Sequence, residues 1–526
     1  MKALLMHPDN DFDAKRLLPA HAEIVRQDLA LNTLLAAMAD GDEFVSEVAC
    51  NALLNGCKND AATITYRQNV ITDALAHAEP VRQMYSVATA ALEEKRKSYW
   101  GFLSSHPSSI LYSSLQVLRI FMERLRQLRG IAEANASRFE SSGFRNLFAM
   151  LEREFDDAYL ERVAAQLEEL KFADGTLVSA QIGPGGESDG YTLRRPHDPN
   201  PNWLKRMLER GPRNFTVKIA QRDLIGAKTL AQMRDRGINE VANALAQSVD
   251  HIQGFFEMLR VELAFHVGCV SLHEKLTAKG VKTCLPGIGS ADTPGFHSSA
   301  LLDVALALTK HEAVIGNTID ANGKQLVIIT GANQGGKSTF LRSLGLAQLM
   351  LQAGMFVSAE AFSAALCTGL FTHYKREEDA SMEQGKFDEE LARISDIADA
   401  IRPGALLLCN ESFAATDERE GSEIARQVTD AMLERHIRVV FVTHQFHFAQ
   451  GICEQNRPDA LFLRAERRDD GTRTFKLKQG APRETSFGND LFVEIFGPDQ
   501  AADSLESHTE PATTIDCPSR AAQGAR

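Results

Sequence analysis

The chain has 526 residues, of which 44% are hydrophobic and 24% are charged, and its formal net charge is −13. This length predicts three or four domains at roughly 150 residues each, and the composition is that of a globular protein. An acidic chain does not fit a protein that coats DNA, so any contact with nucleic acid must be local.

The sequence favours a cytoplasmic protein without membrane contact. No apolar run approaches the roughly 20 residues that cross a bilayer, and the chain turns polar after six residues, unlike a secretory signal. The eight cysteines form no CxxC pair, which disfavours a zinc site. Scattered free thiols are typical of a reducing compartment.

Residues 1–173 are expected to form a helical region. Leu115, Leu118, Phe121 and Leu125 follow the three-four spacing of an amphipathic helix. Residues 95–129 carry seven basic side chains and one acidic side chain. Such runs are usually solvated helix faces, and we favour that interpretation over a contact with nucleic acid.

Composition changes over residues 174–225, which are rich in Gly, Pro, Asp and Asn and predict a small β-containing insert. The expected strands are 177–182, 191–195 and 215–220. GPGGESDG (183–190) lacks the Lys-Ser/Thr ending and the following helix of a phosphate loop, so it predicts a turn. Helix returns over residues 226–295, which end in the linker-like PGIGSADTPG.

The hydrophobic period changes over residues 296–498. QLVIIT (325–330), ALLLCN (405–410) and RVVFVT (438–443) are apolar runs that alternate with helical segments. This pattern predicts an α/β domain in which a parallel sheet is covered on both faces. Residues 499–526 have few large apolar side chains and predict a disordered tail.

GANQGGKST (331–339) fits the phosphate-loop pattern G-x-x-x-x-G-K-[ST] between a predicted strand and a predicted helix. Its glycines let backbone N–H groups point at phosphate oxygens. Lys337 is expected to reach the β and γ phosphates, and Ser338 to ligate magnesium. The residues assigned to nucleotide binding are Gly331, Asn333, Gly335, Gly336, Lys337, Ser338 and Thr339.

Asn410 and Glu411 follow the second apolar run, and His444 follows the third. In a parallel sheet both positions can lie beside the phosphate loop. Glu411 is then expected to orient and polarise the attacking water, and Asn410 to take a magnesium position without contributing charge. His444 is expected to sense the γ phosphate. The alternatives are incidental polar residues at a strand end and a surface or core histidine.

ITGANQGGKSTFLRS (329–343), ESFAATDEREG (411–421) and VTHQF (442–446) resemble the corresponding motifs of the MutS family of DNA mismatch-recognition ATPases. VIGNTI (314–319) resembles the segment in which that family places an Asn, here Asn317, before the phosphate loop. The resemblance is specific over about 300–498 and looser over the helical region, which would be the family's core and lever. It implies an ABC-type P-loop ATPase that uses ATP and Mg²⁺, with Lys337, Glu411 and His444 as catalytic residues.

The resemblance also implies a homodimer in which each ATP meets a signature segment of the partner. The matching segment is DASMEQGKFDEEL (379–391), with Gly385 and Lys386 where many relatives have Ser-Thr. Either the Gly385 N–H or the Lys386 charge replaces that serine, or stabilisation in trans is weaker. Val314 stands where relatives often have an aromatic residue that stacks on adenine, which leaves selectivity for the base open.

No segment resembles the family's mismatch-reading domain, so DNA contact is expected through phosphates and shape. The sequence thus predicts a dimeric, DNA-dependent ATPase that clamps mismatched, branched or otherwise distorted DNA. The alternative is a nucleotide-switched scaffold with slow hydrolysis and no direct DNA contact. An SMC/Rad50-like ATPase is disfavoured, because only about 70 residues separate the two halves of the predicted site.

Overall fold

The computed structural model describes residues 1–98, 106–173, 175–194, 216–220, 222–290, 293–310, 312–376, 385–468 and 472–483. The predicted tail (499–526) and residues 379–384 of the predicted signature segment lie outside them. No helix among the described residues is long and apolar enough to cross a membrane.

The chain divides into two compact units. The first comprises Met1–Ile288, Val304–Ala313 and Leu346–Phe362, and the second comprises Gly289–Asp303, Val314–Gly345 and Ser363–Arg526. Two stretches of the predicted α/β region, 304–313 and 346–362, therefore group with the helical unit.

The helical unit is built on amphipathic helices, as the sequence predicts for this part of the chain. On α6 the spaced leucines and Phe121 are buried in a core that also takes in α5, α7 and α9. Helix α9 has 55 residues, or about 80 Å at 1.5 Å per residue. The helices are α1 Ala22–Asp28, α2 Leu31–Ala39, α3 Glu43–Leu54, α4 Ala61–Ala76, α5 Ala78–Ser98, α6 Pro107–Asn135, α7 Ser142–Glu154, α8 Asp157–Glu169 and α9 Leu224–Ala278.

Residues 1–12, here called the N-terminal strap, are fixed to this unit by two buried charged side chains. The carboxylate of Glu262 on α9 accepts the backbone N–H groups of Leu5, Met6 and Phe12. Arg67 on α4 donates to the Met6 carbonyl at 2.7 Å. Burial raises the pKa of Glu262 to about 7. Glu262 and Arg67 thus bind backbone groups of the strap, which satisfies the hydrogen-bonding capacity of both partners.

The predicted β insert is correct for two strands and wrong for the third. Strands β1 (Leu177–Ile182) and β2 (Ser188–Arg194) pair antiparallel. Residues 183–187 of GPGGESDG form the turn between them, with Gly185 at φ 77°, and its last three residues begin β2. Residues 216–220 of the expected third strand are exposed and form no strand. An apolar-polar alternation makes a strand only where a neighbour accepts its hydrogen bonds.

The second unit contains a six-stranded sheet of order β12-β11-β6-β10-β9-β8. All neighbours run parallel except β11 and β12. Its central strands are buried throughout, which confirms the predicted α/β architecture. The strands are β6 Leu326–Thr330, β8 Leu370–Tyr374, β9 Leu406–Asn410, β10 Arg438–Val442, β11 Ala460–Arg467 and β12 Arg473–Gln479.

Four helices accompany these strands along the chain: α11 Lys337–Gln352, α12 Lys386–Ala400, α13 Glu418–Glu434 and α14 Phe446–Glu454. A four-stranded sheet has the order β3-β7-β4-β5. Its strands are β3 Gly287–Gly289, β4 Phe296–Leu301, β5 Asn317–Asp320 and β7 Ala361–Ala365, with helix α10 at Val304–Thr309.

Candidate functional site

The candidate site lies where β6, β9 and β10 end. Val442 on β10 pairs with Asn410 on β9 and with Ile329 on β6, so the three strands finish in register. The segments that leave these strands therefore meet at one edge of the sheet. This edge, outside the carboxyl ends of parallel strands, is where α/β proteins bind ligands.

The loop between β6 and α11 is a close-fitting backbone cradle. Gly331 has φ 117°, which a side chain rarely adopts. A Cβ at Gly335 would lie 2.7 Å from the Ala465 Cβ on β11, so only glycine fits there. Asn333 is exposed, and Thr339 is half-buried in the first turn of α11. Exposed backbone thus converges at a helix N-terminus, a place that favours anions.

Lys337, the first residue of α11, points into this loop. Its side chain is buried at 4% exposure. The ammonium donates to the carbonyl oxygens of Gly331 at 2.8 Å and Ala332 at 3.0 Å. Burial lowers the pKa of Lys337, while the charge of Glu411 acts in the opposite direction. A buried cation held only by neutral carbonyls leaves this loop able to accept negative charge.

Ser338 and Asn410 are in direct contact at the mouth of the loop. The Ser338 hydroxyl donates to the Asn410 side-chain oxygen at 2.8 Å. Both supply uncharged, hard oxygen atoms, the kind of ligand that Mg²⁺ takes together with phosphate oxygens and water. The donor set therefore fits a magnesium ion bound mainly through a phosphorylated ligand.

Glu411 and His444 face each other at the same edge. The His444 Nδ1 lies 3.9 Å from the Glu411 Oε1, an ion-pair distance that is too long for a direct hydrogen bond. His444 holds the pKa of Glu411 below its usual range against the opposing effect of burial, and Lys337 and Lys375 act in the same direction as His444. Glu411 is therefore a half-buried carboxylate that stays ionised at neutral pH.

The backbone at Glu411 is strained. Glu411 has φ 55° and Phe413 has φ 61°, both in the left-handed region. Such conformations cost roughly 1–3 kcal/mol each and persist only where the surroundings enforce them. Here the Glu411 N–H donates to Val442 O at 2.8 Å, and the Gln445 amide donates to Phe413 O at 2.8 Å. Holding Glu411 in this position therefore lowers the stability of the fold.

The Asn317 side chain binds the backbone of strand β12. Its side-chain oxygen accepts the Leu477 N–H at 2.7 Å, and its side-chain nitrogen donates to the Phe475 carbonyl at 3.3 Å. Asn317 therefore fixes strand β12. Beside the loop this strand presents Phe475, which is 47% exposed and whose carbonyl would lie 3.3 Å from a Cβ at Gly336.

Sequence reasoning missed Phe475. The available signal was a lone aromatic residue in the charged strand RTFKLKQ (473–479). That pattern does not predict that β12 lies beside the loop between β6 and α11.

Two family models match the chain: the MutS2 N-terminal domain over residues 59–279 and MutS domain V over residues 327–508. The chain is 30% identical over 201 residues to an endonuclease MutS2 of Lactiplantibacillus plantarum, covering 38% of this chain and 25% of that protein. It is 35% identical over 141 residues to a DNA mismatch repair protein MutS of Chloroflexus aurantiacus, covering 26% and 15%. With a MutS protein homolog 4 of Mus musculus it shares 28% over 195 residues, covering 34% and 20%.

The parallel sheet and the loop at its edge, together with the match to MutS domain V, define an α/β domain of the ATPase class. The matched segments span a quarter or less of the length of these three relatives. Both halves of the chain match models of one family, and the chain belongs to the MutS family.

Proposed function

We propose that this chain binds ATP at the edge of the six-stranded sheet and hydrolyses it to ADP and phosphate. The observation that carries the proposal is the meeting of Lys337, the Ser338–Asn410 pair and the Glu411–His444 pair, which leave three different strands. No role in holding the fold explains a buried lysine and a half-buried carboxylate gathered at one glycine loop.

The loop binds the phosphates in this proposal. Lys337 exchanges its two carbonyl partners for oxygens of the β and γ phosphates, while backbone N–H groups of the loop and of Thr339 receive the remaining negative charge. Phe475 stacks on the base, and Asn317 acts by holding β12 in place. Ser338 and Asn410 would hold Mg²⁺, which neutralises charge on the phosphates when bound.

Glu411 drives the hydrolytic step. Its carboxylate accepts a proton from water as the water oxygen bonds to the γ phosphorus and the bond to the ADP oxygen breaks. His444 keeps Glu411 ionised and stands where it can donate to the γ phosphate.

We further propose that the site is coupled to DNA through a homodimer. Support comes from the relatives named for DNA mismatch repair and from the MutS-type helical unit. ATP binding closes the dimer on distorted DNA, and hydrolysis reopens it.

A Glu411→Gln protein tests the catalytic proposal. The neutral amide cannot accept the proton, so kcat should fall by roughly 10²–10⁴-fold while ATP affinity stays within a few fold. Glu423→Gln is the control, because Glu423 is an exposed residue of α13 paired with Arg426. Undiminished hydrolysis by Glu411→Gln would remove Glu411 from the mechanism.

A nucleotide-switched scaffold is the second candidate, favoured by the neutral Asn410 in the metal position. ATPase rates with duplex, mismatched and branched DNA, and affinity as a function of salt, separate the two. Affinity that falls steeply with salt indicates phosphate contacts. ATP binding without any DNA binding at low salt would favour the scaffold.

A further inference from the structure

The strained turn after Glu411 is held in place by a group of buried residues that the proposed chemistry does not use. We call this group the clasp; it consists of His373 on β8, Glu390 on α12, and Ser412 and Phe413 in the turn. Each has an exposure of 4% or less. The clasp therefore joins helix α12 to the segment that carries Glu411.

Two links run from α12 to the turn. In the first, the Glu390 carboxyl faces the Phe413 backbone N–H: burial raises the pKa of Glu390, and Arg393, Lys375 and this N–H act in the opposite direction. In the second, the His373 ring lies between the Glu390 carbonyl oxygen, 3.2 Å from Nε2, and the Ser412 hydroxyl, 2.7 Å from Nδ1. The His373 ring also stacks on the Phe413 ring, with centroids 5.5 Å apart.

The second link depends on which ring nitrogen of His373 carries the proton. Burial lowers the pKa of His373 to about 4, so the ring is neutral at neutral pH and carries a single N–H. With the proton on Nε2, the ring donates to the Glu390 carbonyl and accepts from Ser412. With the proton on Nδ1, Ser412 can keep its 2.7 Å bond to the His373 carbonyl, but the link to α12 is lost.

We propose that Glu390 and His373 are positioning residues for hydrolysis, because they hold Ser412 and Phe413, and thereby Glu411, in register with α12. This inference rests on the proposed function of Glu411. A displacement of α12 then moves the catalytic carboxylate without touching the phosphate loop. Rearrangement of α12 thus governs the rate of hydrolysis rather than the binding of ATP.

The test compares Glu390→Ala with Glu390→Gln in the full-length protein, measuring kcat for ATP and the dissociation constant of ATP. Glu390→Ala removes the carboxyl group that faces the Phe413 N–H, and kcat should fall roughly tenfold to a hundredfold, as expected for a misplaced catalytic group. ATP affinity should stay within about twofold, since the loop is unchanged. Glu390→Gln keeps a side-chain oxygen acceptor and should recover most of kcat.

A second readout separates positioning from general damage to the fold. Adding Glu390→Ala to Glu411→Gln should reduce the residual rate no further, because the clasp acts through Glu411. Ser412→Ala, which removes the His373 Nδ1 partner, provides an independent variant if Glu390→Ala does not fold; it should lower kcat and leave ATP affinity unchanged.

An unchanged kcat in folded Glu390→Ala or Ser412→Ala, or an equal loss of ATP affinity, would overturn the inference while leaving the proposed function standing. A wild-type protein that hydrolyses no ATP would overturn both.

Discussion

The two units use charged side chains in opposite ways. On α6, the Arg119 guanidinium lies 3.1 Å from the Glu168 carboxylate, and the Arg129 guanidinium lies 2.7 Å from the Asp157 carboxylate. These positive charges are therefore neutralised by neighbouring side chains. At the sheet edge, the Lys337 ammonium donates to two carbonyl oxygens and to no carboxylate among the described residues, and the Glu411 Oε1 lies 3.9 Å from the His444 Nδ1. Charges of the helical unit hold the fold together, whereas those of the site are kept for a ligand. Five substitutions test that contrast.

Lys337→Ala should have the largest effect and should separate binding from stability. Loss of the ammonium is expected to weaken ATP binding by roughly a hundredfold or more, because a charge-assisted contact to phosphate disappears. The free energy of unfolding should hardly fall, since a buried cation without a carboxylate partner adds little stability. Titration with ATP and urea unfolding measure the two quantities. A loss of stability with unchanged ATP affinity would make Lys337 a structural residue.

Glu262→Gln should change the pH dependence of stability in the helical unit. The pKa of Glu262 is raised from 4.5 to about 7, so the folded state holds a proton that the unfolded state releases between these values. Its contribution is present below pH 4.5 and lost as pH rises to 7, roughly 3 kcal/mol in all. The variant should lack this decline.

Burial lowers the pKa of His7 to about 4 and also lowers that of His266, and these groups act in the opposite direction. The informative quantity is therefore the difference between wild type and variant in urea unfolding at pH 5, 6, 7 and 8. Glu257→Gln, an exposed site on the same helix, is the control. Parallel curves for wild type and Glu262→Gln would show that Glu262 does not titrate in this range.

Asn410→Asp should have a smaller effect, confined to the dependence of the ATPase rate on Mg²⁺. A carboxylate beside Ser338 adds one negative charge to the position expected to face Mg²⁺. The Mg²⁺ concentration for half-maximal ATPase should fall by roughly threefold to tenfold. A metal titration at saturating ATP measures this. If neither the titration nor the rate moved, Asn410 would have no part in holding the metal.

The smallest effects should come from the arginines of α6. Arg124→Gln and Arg129→Gln each remove a pair with a carboxylate, and each should lower the free energy of unfolding by about 1 kcal/mol or less. The slope of DNA affinity against salt should not change, because these side chains are already neutralised. A slope reduced by about 1 per substitution would mean that they contact phosphates.

Sequence period was sufficient for much of this architecture. Long helices and buried parallel strands can be predicted from the local pattern of hydrophobic residues. Because the carboxyl ends of parallel strands meet at one edge of the sheet, Ser338 could be expected near Asn410. The ion pairs on α6 agree with the predicted solvated helix face over residues 95–129. The strand predicted for residues 215–220 was wrong over the described residues 216–220, because a strand also needs a neighbouring strand and local alternation does not identify one.

The remainder of the site depends on order in space. Phe475 comes near the loop only because β12 pairs with β11, which pairs with β6. Glu390 and Ser412 lie in segments that resemble family motifs, but nothing in those segments or around His373 predicts that the strand order brings the three residues together. The contact of the Asn317 amide with the backbone of β12 also could not be predicted from its motif. Such pairings are set by tertiary packing, which leaves no local trace in the sequence.

The N-terminal strap has a consequence for how the chain is made. Leu5 and Phe12 bind a carboxylate that lies 257 and 250 residues further along. At ribosomal speeds of roughly 5–20 residues per second, this partner is synthesised about 12–50 s later. Over that interval Leu5 and Met6, which are fully buried in the finished protein, have no carboxylate to dock on. The strap, which is synthesised before α9, is thus among the last segments to reach its final place in the helical unit.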